Sequence, residues 1–536
     1  MKRILISVLC LSAAMTAGAQ TMYDAINFSE NHYAGTARTM GLNNAVTALG
    51  SDLGTIGINP AGSAVASYNQ FTISPSLVWS TTGSDFTDDG GALYYGTGNR
   101  SRMALPNFAG VAVLPTGRHS GLKSMSFGLV SNTTNNWLDR VCATGGGSQT
   151  SMAGALASYA QAYGYDPAGL ASSSAYDGGY SWQSVSAYQS GLVSDFGNNN
   201  FVGATEQIQK RADGTYDIYT AGYLQKDYSR KVSGTKYDVV INYAMNFSDR
   251  LYLGVNLGFP CCHYSFLESF SEIATTPSDF TFEYENGETV NFEKGTAAYA
   301  YTANLSGLYA KVGAIWLPFA GLRLGAAVQT PTALQISERY QYSTSTVFSN
   351  STNRATSPQG EYSYYLYTPW RYNLGAAYTI GRSGLVSVDY ERTNYRNMRY
   401  DVIDDGYADY SDPFSDVNDE IKTYAGASNM LRAGVEVNVL SHCAVRAGYA
   451  LTTRDTDFVN TKIKSWSFGV GYTSDSAFFC DFALRMTHYP VSYYTPYTYY
   501  TTDSSNAPVI DSAMAVPELA LDRQICEFVT TFGWRF

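Results

Sequence analysis

The sequence lacks the features of most enzymes, nucleic-acid-binding proteins and helical membrane proteins. Only five His residues occur among 536, and no His-Glu-x-x-His, Gly-x-Ser-x-Gly or phosphate-binding loop is present, so no enzymatic activity, catalytic residue or cofactor is predicted. A charged fraction of 15% and a net charge of −11 argue against nucleic acid as a partner. Beyond the first 19 residues, no run of 18 apolar residues could form a transmembrane helix.

Cysteine is also scarce. The Cys residues after position 19 are scattered, so they do not describe a small disulfide scaffold, although a bridge between Cys480 and Cys526 on neighbouring strands is left open. The sequence Cys261-Cys262-His263 is conceivable as a metal cluster, but adjacent strand residues point to opposite faces, and no metal site is predicted. The acidic segment 401–416 is interpreted as a solvated loop rather than a cation site.

The first 19 residues are typical of a secretory signal peptide. They contain a basic pair, an apolar run at 4–14 and the small-residue sequence Ala17-Gly18-Ala19. The run is too short to span a membrane as a helix. We therefore predict that residues 1–19 are a signal peptide and that the mature protein starts near Gln20.

Tyr (45 residues), Phe (25) and Gly (49) are abundant, and apolar and polar residues alternate with a period of two. In residues 237–247, for example, Val239 and Ile241 alternate with Asp238 and Asn242. The same pattern occurs in residues 251–259, 370–380, 431–439, 445–451 and 466–472. In a membrane barrel every second side chain faces lipid and the others face the lumen, so this pattern predicts strands of a barrel wall.

The connections favour a barrel over a soluble β-sandwich, whose strands would alternate in the same way. Turns of a few residues, as at 248–250 and 319–321, alternate with long polar, Tyr-rich excursions. The longest excursion is predicted at about 135–234. Short turns on one side and long loops on the other are typical of outer-membrane barrels.

Counting from residue 71 gives about fourteen strands, an even number as expected of a bacterial barrel. The first three are predicted near 71–80, 107–114 and 125–132. We therefore predict an all-β fold: a multi-pass transmembrane antiparallel β-barrel of about 14 strands at 67–536, in a Gram-negative-type outer membrane.

The end of the chain supports this localisation. Residues 527–536 contain alternate aromatic side chains and finish with Phe536, which resembles the signal that barrel-assembly machinery reads. The predicted partners are therefore the outer-membrane bilayer and, through Phe536, that machinery.

Residues 20–66 follow a different pattern. Short, weakly helical segments near 37–42 and 45–49 are broken by Gly and carry too little apolar surface to fold alone. Because about fourteen strands enclose a lumen too wide for inward side chains to fill, we predict that residues 20–66 form a hatch that plugs it. The tetrad Asn59-Pro60-Ala61-Gly62, taken alone, is also compatible with an ordinary type I or II turn.

The same segment contains Thr36-Ala37-Arg38-Thr39-Met40-Gly41, then Ala45-Val46-Thr47-Ala48-Leu49-Gly50-Ser51-Asp52, then Ile58-Asn59-Pro60-Ala61-Gly62. Placed between a signal peptide and a barrel, these sequences resemble the hatch of the FadL/toluene-transport family of outer-membrane proteins. The resemblance extends over the whole chain and implies a fourteen-stranded barrel, a hatch with an Asn-Pro-Ala motif and a terminal Phe or Trp.

The resemblance implies passive diffusion of hydrophobic compounds, such as long-chain fatty acids, with lateral release where an inward kink opens the third strand beside the hatch. The corresponding gate would be Phe127, Gly128 and Leu129, because Gly within a strand permits a bend or bulge. Gly128 as a merely small lumen-facing residue is the alternative. A lateral exit keeps an apolar substrate out of water, which is worth about 0.8 kcal/mol for each CH₂.

Charged residues of both signs alternate with lipid-facing residues in the later strands and therefore face the lumen. Such a mixture indicates an ion-pair network that holds the hatch. Alternatively, one or two Arg bind a carboxylate headgroup, as basic residues do in fatty-acid-transporting relatives. The candidate headgroup contacts are Arg371, Arg432, Arg446 and Arg485.

The long outer loop has a helical pattern that places Met152, Leu156, Tyr159 and Tyr163 on one face. This face is interpreted either as an apolar landing site for a substrate or as a surface buried against other loop residues.

The leading functional interpretation is a passive outer-membrane channel for hydrophobic small molecules. The alternative is a FadL-like barrel that serves as a docking subunit for protein secretion or surface attachment, with its Tyr-rich loops as the partner surface. A surface adhesin or a barrel-embedded hydrolase is a weaker interpretation. The fold alone does not separate them, because function depends on the site.

Overall fold

The computed structural model describes residues 20–212, 214, 216–283, 287–403, 412–455, 460–475 and 477–536. The predicted signal peptide, residues 1–19, lies outside the described residues, as does half of the acidic segment 401–416, namely 404–411. None of the helices in these ranges is long and apolar enough to cross a membrane.

Within the described ranges, fourteen antiparallel strands form one closed barrel. The strands are β1 (Gln70–Thr87), β2 (Leu93–Pro115), β3 (Leu122–Gly147), β4 (Leu224–Phe247), β5 (Leu251–Ala274), β6 (Thr289–Trp316), β7 (Leu322–Gln329 and Ala333–Phe348), β8 (Ser351–Thr356, Gly360–Tyr367 and Arg371–Ile380), β9 (Gly384–Asn394 and Arg399–Val402), β10 (Ala427–Leu440), β11 (Cys443–Asp455), β12 (Asn460–Thr473), β13 (Phe478–His488) and β14 (Glu518–Arg535). Each strand pairs with the next, and β14 pairs with β1 from Gln70↔Arg535 to Thr87↔Glu518, which closes the wall. The predicted strand number is therefore confirmed.

The two-residue period sorts side chains between the outside and the lumen. On β5, Val255 and Leu257 are exposed while Asn256 is buried. The turn before β5 places Ser248 and Asp249 at φ of 57° and 56°, as the two central residues of a type I′ turn require. The outward face of the barrel is consequently apolar, and the inward face is polar or glycine-rich.

The polar excursion predicted at 135–234 is shorter in the structure. Strands β3 and β4 remain paired from Asn135↔Lys236 to Gly147↔Leu224, so the excursion comprises residues 148–223. These outer strand segments extend beyond the apolar belt, and their two faces are not divided between lipid and lumen. The alternation that identifies membrane-spanning strands is therefore absent there.

Residues 20–66 lie inside the barrel. They contain helix α1 (Met22–Ser29), helix α2 (Ala37–Gly41) and two 3₁₀ helices, Leu53–Thr55 and Pro60–Val65. Helix α1 begins with a capping box in which Thr21 and Asp24 each accept a hydrogen bond from the other's backbone N–H. No residue of this hatch is exposed, and most are buried.

Residues 148–223 fold into a cap that packs against the outer strand ends. The cap contains helices α3 (Met152–Ala162), α4 (Pro167–Ala171) and α5 (Trp182–Gln189) and the short strands Val193–Asp195, Phe201–Gly203, Glu206–Lys210 and Tyr216–Thr220. Its apolar core includes Met152 and Leu156. This core is continuous with Phe270 on β5, with Tyr497 in the connection between β13 and β14, and with Leu519 on β14. A further helix, α6 (Ser415–Tyr424), packs near α1.

Candidate functional site: hatch, lumen wall and lateral opening

The tetrad Asn59-Pro60-Ala61-Gly62 starts a 3₁₀ helix instead of forming an isolated turn. The Asn59 Oδ1 atom accepts a hydrogen bond from the backbone N–H of Ala61 (3.1 Å), and Pro60 occupies the first helical position, where its missing N–H costs nothing. The Asn59 Nδ2 group donates to the carbonyl oxygens of Thr47 (2.7 Å) and Ala314 (3.1 Å). Because Ala314 belongs to β6, this one amide joins two parts of the hatch to the barrel wall.

Lumen-facing glycines let the hatch backbone lie directly on the wall. A Cβ atom at Gly313 would lie 2.1 Å from Asn59 Oδ1, and one at Gly254 would lie 2.4 Å from the Pro60 carbonyl carbon. At Gly325 it would lie 2.2 Å from the Thr47 carbonyl oxygen. Gly375, Gly434 and Gly448 have similar contacts to the hatch. The sequence analysis did not predict these glycine contacts with the hatch, although glycine recurs at inward positions of several strands.

The four lumen arginines predicted as headgroup contacts are buried and ion-paired. The pairs are Arg371 with Glu391 (2.6 Å), Arg432 with Glu391, Arg446 with Glu436 (2.6 Å) and Asp481 (2.6 Å), and Arg485 with Glu527 (2.9 Å). Three of them also donate to hatch carbonyls, namely Arg371 to Ser29 (3.0 Å), Arg432 to Asn44 (3.1 Å) and Arg485 to Tyr33 (2.7 Å). This geometry is that of a network holding the hatch. Headgroup binding stays a prediction that would require these partners to be displaced.

Two buried lysines hold the hatch in the same way. The Lys236 Nζ group donates to the carbonyls of Phe28 (2.9 Å) and Glu30 (2.7 Å), and Lys311 Nζ donates to Gly57 O (2.7 Å). Lys236 was not among the predicted lumen charges, because it lies between the loop predicted at about 135–234 and the alternating strand predicted at 237–247. Polar bonds from the wall to the hatch backbone therefore add to the apolar contacts between hatch and wall side chains.

The barrel wall is not continuous between its second and third strands. The β2–β3 ladder runs from Pro115↔Ser124 to Asn107↔Asn132 and stops there, although β2 and β3 both continue outward. Among the described residues, the β3-facing edge of 93–106 has no backbone ladder. Pro106 stands at the break, and it has no N–H with which to extend the ladder.

This break does not coincide with the predicted gate. Gly128 pairs with Val111 on β2 and with Asn242 on β4, and its neighbours Phe127 and Leu129 are also paired on both sides. Their exposed side chains face outward. The strands separate a few residues further on, where Pro106 of β2 has no N–H to donate and β3 meets the hatch instead.

Beyond the break, β3 bends inward over the inner face of its neighbours. The backbone N–H groups of His32 and Ala34 in the hatch donate to the carbonyls of Thr134 (2.7 Å) and Thr133 (2.9 Å). Further along β3, Leu138 packs against Val78 on β1 and Ile525 on β14. The hatch thus replaces β2 as the backbone partner of β3 at this level.

Two cavities are lined by described residues. One, of about 60 Å³, lies on the hatch, and its lining includes the polar side chains of Asn43, Asn136 and Arg485. The other, of about 50 Å³, lies beneath helix α3 and is lined by apolar residues such as Met152 and Phe270. They share no lining residue among the described ones.

A buried polar cluster anchors the cap above the membrane. Asp89 accepts hydrogen bonds from the backbone N–H of Thr150 (2.9 Å) and from Lys226 Nζ (3.1 Å). Glu272 accepts from the N–H of Met152 (2.7 Å) at the start of α3, and Glu206 accepts from Gly203 (2.8 Å). Burial raises the pKa of Glu272, and likewise that of Glu206, to about 7.

The cysteines form no bridge in the described part of the chain, where all six are free. Across the β13–β14 ladder, Cys480 lies opposite Phe532 and Cys526 lies opposite Met486. The possible disulfide between Cys480 and Cys526 does not form, because the strand register places the two residues at different levels of the ladder. No group of three His, Cys, Asp or Glu side chains suited to a metal ion occurs among the described residues.

No protein-family model matches the sequence, and no curated protein matches it significantly. Among solved structures, the TodX deltaS2S3 mutant, a monoaromatic hydrocarbon channel, aligns with 94% of this chain and 100% of its own at 11% identity, with a TM-score of 0.50. The chain has the fold of the FadL and toluene-transport channels.

Other FadL-type structures align with a TM-score of 0.49. They include the P. putida toluene transporter TodX, at 13% identity over 94% of this chain and 98% of that one, and a Pseudomonas aeruginosa FadL homologue, at 12% identity over the same shares. The similarity to the TodX deltaS2S3 mutant, at 11% identity, establishes the fold alone.

The FadL-type barrel fits a Gram-negative type of outer membrane. Its strands pair with both neighbours around the barrel except along the outer part of the β2–β3 edge, and its outward side chains are apolar. Examples of these exposed side chains are Leu257, Leu374, Val435 and Phe468.

Proposed function

We propose that this protein is a passive outer-membrane channel that takes up hydrophobic compounds and releases them sideways between β2 and β3. The observation that supports this proposal most directly is the break of the β2–β3 ladder after Asn107↔Asn132. A break at this level gives an apolar molecule inside the barrel a route to the lipid. An axial route would instead cross the buried hatch.

The outer part of the route starts at the cavity beneath α3. Met152 and Leu156 of the predicted landing face line this cavity together with Phe270, Tyr299 and Tyr342. The other two residues of the predicted face do not line this cavity. Tyr159 is buried in the cap core, and Tyr163 is exposed. An apolar cavity with a few polar groups is the usual form of a small-molecule site.

The inner part of the route favours lateral release on energetic grounds. An apolar substrate that left through the periplasmic end would enter water, at about 0.8 kcal/mol for each CH₂. Lateral release keeps it in apolar surroundings. Candidate substrates are long-chain fatty acids, for which Arg371, Arg432, Arg446 or Arg485 would supply a headgroup contact, and small aromatic hydrocarbons.

A bulky side chain at the opening tests the lateral route. Ala104 on β2 is partly buried beside the opening and packs against the cluster that contains Leu138 of β3, so Ala104→Trp should reduce uptake of a radiolabelled hydrophobic compound into cells several-fold. The matched control is Ala112→Trp on the same strand, where the side chain is exposed outward and the ladder is intact.

The outcomes of this test separate the alternatives. Undiminished uptake in Ala104→Trp would refute lateral release between β2 and β3. A wild-type barrel that carries no hydrophobic compound, yet retains a bound secreted protein, would instead support the docking role.

We further propose that the terminal residue directs assembly. The backbone of Phe536 exchanges two hydrogen bonds with Asn69 (both 3.0 Å), while its ring is exposed and accessible to a partner. Deletion of Phe536 should lower the amount of barrel in the outer membrane, measured by heat-modifiable migration in gels. Unchanged assembly would contradict this role.

A further inference from the structure

Two arginines on β2 bridge the part of the wall that lacks a backbone ladder. Arg102 Nη2 donates to the Gly234 carbonyl (2.9 Å) and to Thr235 Oγ1 (2.5 Å) on β4, and also to Asn136 Oδ1 on β3. Arg100 Nη1 donates to the Val232 carbonyl (2.6 Å). These side chains replace the missing strand pairing with four hydrogen bonds across the opening.

The acceptors of these two arginines are all uncharged. Neither Arg100 nor Arg102 forms an ion pair with a carboxylate among the described residues, unlike Arg371 and Arg432 of the lumen network. Hydrogen bonds between a guanidinium and a carboxylate are stronger than those to neutral acceptors and are frequently bidentate. Two guanidinium groups at a wall opening therefore have an unused capacity to bind an anion.

The opening also adjoins a polar compartment. Asn136, which accepts from Arg102, lines the cavity of about 60 Å³ that lies on the hatch. The outward face of β2 beside the arginines carries the exposed apolar residues Met103 and Leu105. The position thus combines polar groups on the inner side with an apolar surface on the lipid side, as an amphiphile requires.

We propose that Arg100 and Arg102 form an anion-displaced latch on the lateral opening. A substrate with an apolar body and a terminal carboxylate pairs with the guanidinium groups and releases them from the backbone of β4, which widens the opening for its own exit. A neutral hydrocarbon cannot compete for the arginines and must wait for the latch to open spontaneously. This inference rests on the proposed lateral release.

The test compares a carboxylic acid with the alcohol of the same chain length. Uptake of each is measured in cells that produce the wild-type protein, the Arg100→Gln/Arg102→Gln variant or the Arg102→Lys variant. Arg118→Gln is the matched control, because Arg118 is exposed in the turn after β2 and its loss changes net charge only. Heat-modifiable migration in gels confirms that each variant is folded.

We expect the wild-type protein to prefer the acid, and the double Gln variant to lose that preference by about tenfold while its uptake of the alcohol rises. Arg102→Lys keeps the charge but loses the planar fork, so it should keep part of the preference and also pass more alcohol. An equal change for both compounds would overturn the latch. Uptake of neither compound by the wild-type protein would instead refute the proposed channel function.

The anion could also be a headgroup of the surrounding lipid. Binding of a fluorescent carboxylate probe is therefore measured with the protein in nanodiscs of phosphatidylcholine, with and without anionic phosphatidylglycerol. The latch for substrate predicts saturable, arginine-dependent binding in phosphatidylcholine alone. Failure to bind there, together with arginine-dependent retention of phosphatidylglycerol, would overturn the substrate role and assign the arginines to lipid.

Discussion

At the scale of single residues, the hatch is held by small groups in exact register with the wall. Asn59 uses its whole amide, with two donations to carbonyl oxygens and one acceptance from a backbone N–H. Gly313 provides the space in which this amide lies. Buried polar groups of this kind are costly to leave unpaired, so displacement of either residue should loosen the hatch.

The substitution Gly313→Ala tests this contact. The new Cβ would lie 2.1 Å from Asn59 Oδ1 and 2.8 Å from Pro60 Cδ, so the hatch must move, at a cost of about 1–3 kcal/mol. We expect a higher leak of small hydrophilic dyes through the barrel. The control is Gly83→Ala, whose nearest neighbour would be 3.9 Å away. Equal leakage by the two variants would contradict the role of Gly313 in holding the hatch.

At the scale of elements, helix α3 is held in the cap by carboxyl groups that burial keeps protonated near neutrality. The pKa of Glu206 and that of Glu272 rise from about 4.5 to about 7. The folded cap therefore binds more protons than the open cap between these values. Its stability falls as the pH rises from about 4.5 to 7 and becomes constant above that range.

Hydrogen exchange can measure this dependence. We expect the protection factors of α3 amides to fall by at least about tenfold between pH 5 and pH 8. The variant Glu206→Gln/Glu272→Gln should show a flat profile, because neither residue then titrates. Glu293→Gln, at an exposed position of β6, is the control and should keep the wild-type profile. A wild-type profile that is already flat would contradict this role for the two carboxyl groups.

The elements also show which patterns the sequence could and could not reveal. The alternation in 237–247 and 251–259 predicted the hairpin of β4 and β5 with its turn, because facing is set by local strand geometry. The outer half of β3 was missed, since residues 133–147 contact the hatch, β1 and β2 on one side and β4 on another. No two-residue period survives where the surroundings change along a strand.

At the scale of the whole molecule, the barrel requires lipid around it. Leu374 on β8 is exposed on the outward face, about midway between the turn at 381–383 and the outer end of the apolar belt. An Arg at the bilayer midplane of a β-barrel costs about 2–4 kcal/mol. The wall therefore should not tolerate a charge there, although it tolerates buried Arg within the lumen.

We expect Leu374→Arg to lower the free energy of unfolding by about 2–4 kcal/mol in guanidinium titrations carried out in phospholipid vesicles. Val509→Arg, in an exposed loop beyond the wall, is the control and should change it by less than about 0.5 kcal/mol. A wild-type protein that stays monomeric in water without detergent would contradict the membrane assignment altogether.

The candidate site was predictable only in part. The tetrad at 59–62 and the inward arginines were visible, because a helix-breaking motif and alternating charges are local features. The choice of Glu391 for both Arg371 and Arg432 was not, since it depends on three strands and the hatch meeting at one level. The latch residues Arg100 and Arg102 carried no signal, as their acceptors on β4 lie more than a hundred residues away.

The sequence by itself determined that this chain forms a membrane wall, because the period of two assigns each side chain to lipid or lumen without reference to any distant residue. It also determined that the leading segment must be enclosed, because 20–66 has too little apolar surface to fold alone. Only the tertiary structure decided where that wall opens. The β2–β3 ladder ends beside Pro106, where the hatch N–H groups of His32 and Ala34 donate to the carbonyls of Thr134 and Thr133, and no local pattern in the sequence shows that these distant groups replace β2 as the partner of β3.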